Sequence, residues 1–297
     1  MYYMPMMKSE NLKWNTRQRL SYIETRAYYT GSVSRSDVAQ TFAMSDPAAT
    51  KDLKLYNDLA PDNLIYKQSE FGFIPSASFV QTFANLEPEP VLNLITQNSP
   101  SVWMATQGQS IFGLSATTLP RPTRLPDKSI VAQLTRAMHQ GKKLSITYAS
   151  LHNREQDERR IIEPHSIINT GLRWHARAYN ELHFDFRDFV LSRILEAELI
   201  DEPAESSEDH DEDWVERLTL ELAPHPALTP RQQLNLHVDF SEDGKTIQLT
   251  VRRALIGYAL RALSVDTTID RSLNPNAYQL VLLNREEIEI YADWALM

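Results

Sequence analysis

Apolar residues recur at Leu20, Ile23 and Ala27, with Arg17, Arg19 and Arg26 around them. That i, i+3, i+7 spacing predicts a helix from Trp14 to Tyr29, stopped by Gly31. Ser34-Arg35-Ser36-Asp37 has the form of a capping box and predicts a second helix through Phe42. After a tight turn at Ala43-Met44-Ser45, Asp46-Pro47 reads as N-cap and first-turn proline of a third helix, to about Leu59. Its apolar side is Ala49, Leu53 and Tyr56; its other side offers Ala48, Thr50, Lys51, Lys54 and Asn57. Leu64-Ile65-Tyr66-Lys67 and Phe71-Gly72-Phe73-Ile74 flank Gln68-Ser69-Glu70 as a short β-hairpin. Prolines 88, 90, 100, 120, 122 and 126 then punctuate an irregular stretch, with a helical turn or two at Val91–Ile95 and an extended run from Leu119 to Pro126.

Asp127 caps a further predicted helix, to Gln140, with Ile130, Leu134 and Met138 on one side and Gly141 as its stop. Period-two alternation then predicts strands: Leu144 to Ser150 first, and several more between Arg159 and Ile194, turning at Asn169-Thr170-Gly171. The loop 151–157 is polar. Beyond residue 216 the pattern alternates strand and helix: a strand on Leu218, Leu220 and Leu222, a helix from Thr229-Pro230 to about Val238, a strand from Thr246 to Val251, a helix from Ala254 to Leu263 and a strand from Tyr278 to Leu283.

Helix, helix, turn, helix, hairpin is the order of a winged helix-turn-helix, whose third helix enters the major groove of DNA. The candidate contacts are Ser45, Ala48, Thr50, Lys51 and Lys54 on that helix, Lys67 and Gln68 on the wing, and Arg17 and Arg35 as further cations. Thr50 and Lys51 suit base edges or nearby phosphates, and Lys54 a phosphate. The same elements also serve as protein-interaction modules, and residues 1–85 carry nine bases against eight acids, a weak electrostatic footprint.

The strand region carries an unusual cationic set. Arg173, His175 and Arg177 stand at i, i+2, i+4, so they leave one face of one strand. With Arg187, Arg193, His165 and the aromatics Trp174, Tyr179 and Phe186, that face suits a phosphate-bearing ligand, since guanidinium pairs bidentately with phosphate and stacks on bases. Tyr148 and Ser150, at the end of the first strand, complete the candidate ligand set. An ordinary solvated arginine face is the competing reading.

Charge refines this picture. The chain has 297 residues and a net charge of −9, yet residues 201–216 hold nine of its 39 acids and no lysine or arginine, which leaves acids and bases equal elsewhere. Residues 121–200 are net positive, thirteen bases to ten acids. The acidic run reads as a solvated linker; with no glycine it does not fit a calcium-binding loop. Cysteine is absent, which removes disulfides, thiol nucleophiles and thiolate-bound zinc. No apolar run reaches the roughly 18 residues of a membrane span, and the N-terminus lacks a cleavable secretory pattern, so the expected location is the cytoplasm. Catalysis finds little support. His165 and His175 lack a third metal ligand beyond Asp185 or Asp188, and Ser150, His165 and Asp188 form a triad only on paper, with no oxyanion hole. No cofactor is expected, and the chain reads as non-enzymatic. Arg252 and Arg253 read as surface residues or as groups facing a neighbouring ligand.

Several segments carry a resemblance: Ile146-Thr147-Tyr148-Ala149-Ser150, Glu163-Pro164-His165, Gly171 to Tyr179, and Phe186 to Ile194. They resemble the WYL domain of bacterial transcriptional regulators, although its Trp-Tyr-Leu triplet here reads Trp174-His175-Ala176. With that variant the chain looks most like regulators beside phage-defence operons of the BREX and CBASS types. The resemblance implies an α+β multidomain chain: a winged helix-turn-helix over 1–85, a connector that helps pair subunits over 86–126, an Sm-like small β-barrel (WYL) over 127–200, the acidic linker over 201–216, and an α/β C-terminal extension domain over 217–297. It implies a homodimeric repressor of a phage-defence operon and of its own promoter, binding double-stranded DNA at an inverted repeat. A nucleotide, cyclic oligonucleotide or single-stranded nucleic acid would be the effector, seated on the cationic strands, with release from and recruitment to the operator both open. A scaffold without DNA binding and a nucleotide-processing enzyme are the alternatives.

Overall fold

Helix α1 (Trp14–Thr30) ends where Gly31 takes the left-handed region, φ +79°, which a residue without Cβ enters freely. Helix α2 (Arg35–Thr41) opens with the expected capping box, Ser34 taking the Asp37 N–H and Asp37 taking the Ser34 N–H. Helix α3 (Asp46–Leu59) starts one residue earlier than its sequence suggests. Ser45 is the N-cap, and Asp46 and Pro47 lie inside the first turn. Strands β1 (Leu64–Lys67) and β2 (Gly72–Pro75) form the antiparallel hairpin, joined by a 3₁₀ turn at Gln68–Glu70. Val33 and Phe73 exchange backbone hydrogen bonds of 2.8 Å and tether the hairpin to the helices. Gly72 permits that approach, because a Cβ there would stand 2.8 Å from the Val33 carbonyl oxygen. Helix α4 (Pro88–Thr96) comes next.

A computed structural model gives this arrangement and describes residues 12–96, 112, 114, 124–151, 158–241 and 246–296. The chain divides into two compact units, Met1–Pro120 and Arg121–Met297. Most of the expected connector, including much of the extended run to Pro126, lies outside the described residues, as do residues 1–11 and the polar loop over 152–157.

The first unit closes on Leu20, Tyr22, Ile23, Val38, Ala49, Leu53 and Tyr56. A fully buried carboxylate lies among them. Glu24 accepts the N–H groups of Thr82 (2.6 Å) and Phe83 (3.0 Å) and the Tyr56 hydroxyl (3.1 Å), so α1 holds the segment after the hairpin. Burial pushes its pKa above the ordinary carboxylate value, against the lowering effect of those donors.

In the second unit, Asp127 caps α5 (Lys128–Gln140) and Gly141 stops it at φ +61°, as the sequence predicts. Strands β3 (Lys142–Tyr148), β4 (Glu158–Asn169), β5 (Trp174–Asn180), β6 (Asp185–Val190) and β7 (Ile194–Pro203) form one sheet in the order β6-β5-β4-β3-β7. Helix α5 covers it through Ile130, Leu134 and Ala137, over Leu144, Ile146, Ile162 and Phe189. The sheet is open, not the closed barrel expected. Where a closing ladder would run, other groups satisfy the backbone. The Val190 N–H donates to the Tyr148 hydroxyl (3.1 Å), the Ala149 N–H donates to the Arg193 carbonyl (2.9 Å), and a 3₁₀ turn at Leu191–Arg193 leads into β7.

The acidic run is not a free linker. Its first residues belong to β7; Glu208–His210 form a 3₁₀ turn and Glu212–Val215 form α6. Asp211, only 1 % exposed, caps α6. Beyond it lie β8 (Arg217–Pro224), α7 (Pro230–Phe240), β9 (Ile247–Arg252), α8 (Ile256–Ala262), β10 (Val265–Asp266), β11 (Leu280–Leu282) and α9 (Arg285–Ala292). The sheet order is β10-β11-β8-β9, parallel only between β10 and β11. Gly257 on α8 faces the Trp294 ring; a Cβ would come within 2.3 Å of it. Gly257→Ala is therefore expected to overpack the site and cost about 1–3 kcal/mol, read as a lowered thermal midpoint.

Candidate nucleic-acid interface and anion cavity

In the first unit a cleft of ≈ 660 Å³ opens between α2, α3 and the hairpin. Thr50, Lys54 and Asn57 line it from α3 at i, i+4, i+7, and Tyr66 and Phe71 line it from the wing. The expected contact residues lie on the surface of this unit: Arg17, Arg35, Ser45, Thr50, Lys51, Lys54, Lys67 and Gln68 are exposed, and Ala48 is half-buried. Two of the cations already have acidic neighbours, Arg35 with Asp46 at 3.2 Å and Lys67 with Glu70 at 3.4 Å. Both pairs are well exposed and weak. Lys51 and Lys54 have no carboxylate partner among the described residues. The Thr50 hydroxyl bonds back to the Asp46 carbonyl at 2.9 Å. Sequence reasoning does not select Asn57 as a contact, nor Tyr66 or Phe71. Phe71 is 80 % exposed at the hairpin tip, with a left-handed φ of +48°.

In the second unit the cationic residues part company. His175 and Arg177 do share a face of β5, but that face is covered. The Arg177 guanidinium is bidentate on Asp211 (2.6 and 3.0 Å) and reaches Asp188 at 3.3 Å. His165 Nε2 donates to the same Asp211 carboxylate at 3.1 Å, and the Tyr258 ring lies 5.1 Å from the His175 ring. Burial, outweighing the pull of Asp188, holds the His175 pKa below its ordinary value. Burial raises the Asp211 pKa, but the hydrogen bonds and charges of His165 and Arg177 outweigh it and bring the carboxyl down to about 2. Arg252 stacks on Trp214 and donates to its carbonyl, and Arg253 pairs with Glu212 and Asp213 while covering the Tyr291 ring. The arginines expected at a ligand or the surface thus clasp the acidic run instead. Arg173 is exposed in the turn before β5, Trp174 is exposed, and Tyr179 packs edge-on against Phe186.

A cavity of ≈ 420 Å³ does form, and it gathers Tyr148, Ser150, Arg187 and Arg193 from the expected set. Arg160, His183, Asp188 and Phe189 join them. Arg160 is 8 % exposed, its guanidinium 5.4 Å from the Tyr148 ring centroid and 6.0 Å from that of Phe189. Arg187 is held by exposed Asp185 at 2.7 Å. The Arg193 side chain has no ion-pair partner among the described residues. The lining thus sets the Tyr148 and Phe189 rings among three guanidinium groups, those of Arg160, Arg187 and Arg193.

Comparison with known proteins assigns each segment. Residues 15–97 match the model of the BrxR transcriptional regulator winged helix-turn-helix domain, 129–199 the WYL domain, and 217–288 the BrxR transcriptional regulator C-terminal dimerization domain. The DNA-binding transcriptional repressor CapW of Escherichia coli strain KTE188 is 31% identical over 285 residues, 94% of this chain and 92% of its own. The chain belongs to the CapW family. Two further CapW repressors, of Stenotrophomonas maltophilia and Pseudomonas aeruginosa, are 30% and 29% identical over 95% and 94% of this chain and 93% of each relative. The role named for these CapW proteins is regulatory, not enzymatic. In CapW-family terms the cleft lies in the winged-helix segment and the cavity in the WYL segment. The Asp211 and Tyr258 contacts join the WYL sheet to the acidic run and to the C-terminal domain. Among the described residues no group of three histidine or acidic side chains is arranged to hold a metal, and no helix is long and apolar enough to cross a membrane.

Proposed function

We propose that this chain is a cytoplasmic, homodimeric transcriptional repressor that grips an inverted-repeat operator with α3 and the β1–β2 wing. Similarity to CapW repressors over nearly the whole chain carries this reading. The open polar face of α3 supports it locally. Two copies would set two winged helices in successive major grooves, about 34–36 Å apart. Thr50 and Asn57 face base edges across the cleft, and Lys51 and Lys54 meet phosphates. Lys51→Ala with Lys54→Ala is expected to weaken binding to the DNA just upstream of the gene on the order of 10–100-fold. The double change removes two contacts from each of two protomers and should also flatten the salt dependence by about 3.6 units of log–log slope. Unchanged affinity and slope in a footprint titration would remove α3 as the reader. The controlled genes are a phage-defence operon and the regulator's own promoter.

The cavity is the effector site in this reading. A nucleotide or short single-stranded nucleic acid stacks beside Tyr148 and Phe189, with phosphate on Arg193 and Arg187 and a hydrogen bond to Ser150. Its binding favours a dimer geometry that no longer fits the operator, which requires different affinity for the two geometries. Arg177, expected from its place on β5 to meet the ligand, has a structural role here because its charge is already met.

A further inference from the structure

Asp188 belongs to two features at once. Its side chain is 12 % exposed and lines the cavity beside Arg187 and Arg193. Its Oδ1 accepts from Arg177 Nη1 at 3.3 Å, and its Oδ2 accepts from the Tyr258 hydroxyl at 2.9 Å. Tyr258 stands on α8, within the segment matched by the dimerization model, and packs against His175 on one side and Trp294 on the other. Burial and the adjacent carboxylate push the Tyr258 phenol above its ordinary pKa, so it stays a donor. Among the described residues, Asp188 is the acid in the cavity wall.

We infer that Asp188 reports the charge state of the cavity to the dimerization segment. An anion seated on Arg193 and Arg187 removes their pull on the Asp188 carboxylate and adds a repulsion of like sign. Both effects drive the carboxylate away from the cavity, onto Tyr258 and Arg177. The hydroxyl bond then tightens, and α8 is held more firmly on the sheet. The coupling is reciprocal, so the Tyr258 hydroxyl also favours anion binding. This inference rests on the cavity being an anion site, and Tyr258 is a positioning residue that touches neither operator nor effector.

The test separates the two ideas. Arg193→Glu fixes a negative charge in the cavity without any ligand. It is expected to weaken operator binding about 10-fold when Tyr258 is present and less than 2-fold in the Tyr258→Phe background. Tyr258→Phe alone stays within 2-fold of wild type. Ser150→Asp introduces charge from another lining position and should repeat the pattern, which guards against a folding defect in Arg193→Glu. Equal weakening in both backgrounds, or none in either with folded dimers, overturns the relay. The cavity reading is tested separately with 5′-phosphorylated pentathymidylate, by fluorescence anisotropy. Binding by wild type and loss of it in Arg193→Ala supports that reading. No binding by wild type removes it, while the charge series still decides whether Asp188 and Tyr258 transmit.

Discussion

Replacing Asp211 with alanine is expected to destabilise the second unit by about 3 kcal/mol and to abolish repression at 37 °C. The carboxylate is the shared acceptor of Arg177 and His165, and the Arg177 side chain is 7% exposed. Without Asp211 the guanidinium keeps one hydrogen-bonded partner, Asp188 at 3.3 Å, and the distant Asp213 at 4.0 Å. Leaving a buried cation short of acceptors costs far more than losing an exposed pair. Acid should mimic the substitution. The Asp211 pKa, about 2 in the folded chain, lies below its ordinary 3.8. The folded state therefore binds the proton less readily than the unfolded chain, and stability rises with pH across that window. The deficit of Asp211→Ala relative to wild type should be complete above about pH 4 and should shrink as pH falls towards about 2. Urea unfolding of both proteins across this range checks it, and a pH-independent difference would contradict the assignment.

Glu24→Leu should cost still more, about 4 kcal/mol, in the first unit. The change strands three backbone N–H donors, those of Thr82, Phe83 and Ala84, and the Tyr56 hydroxyl around a fully buried side chain. Each orphaned donor costs about 1–3 kcal/mol. Glu24→Gln keeps one carbonyl oxygen for those donors and should lose about half as much. The ranking of the two variants in thermal unfolding is the diagnostic result: an equal loss would mean that side-chain volume, rather than acceptor capacity, matters at this position.

Local signals are readable along the chain because they act over a few residues. The Ser34–Asp37 capping box, the Gly31 and Gly141 stops and the hairpin around Gln68–Glu70 all stand where the sequence places them. So do the helix from Thr229-Pro230 and the strand on Leu218 to Leu222. Helix α9 is hidden, since Glu287-Ile288-Glu289-Ile290 reads as strand alternation; in the structure Ile288 is fully buried and Ile290 is 77 % exposed. The acidic run misleads for a different reason. Composition registers nine acids without a base, but the countercharges, Arg177 and Arg253, lie 34 and 41 residues away. Alternation correctly puts His175 and Arg177 on one face of β5. It carries no information about which element covers that face. Arg160 escapes notice for a related reason: opposite Ile146 in the β3–β4 ladder it points into the fold, and an arginine reads as exposed until its aromatic neighbours are known.

The clasp between β5 and the acidic run bears on how an effector should be sought. A shortened protein ending near residue 200 would strip Asp211 from Arg177 and His165 and leave the guanidinium with Asp188 as its remaining acceptor. Such a fragment would capture nucleic acids and polyphosphates indiscriminately, at a place the intact regulator keeps shut. Screens for an effector therefore belong with the full-length protein, in which Asp211 keeps the Arg177 guanidinium covered.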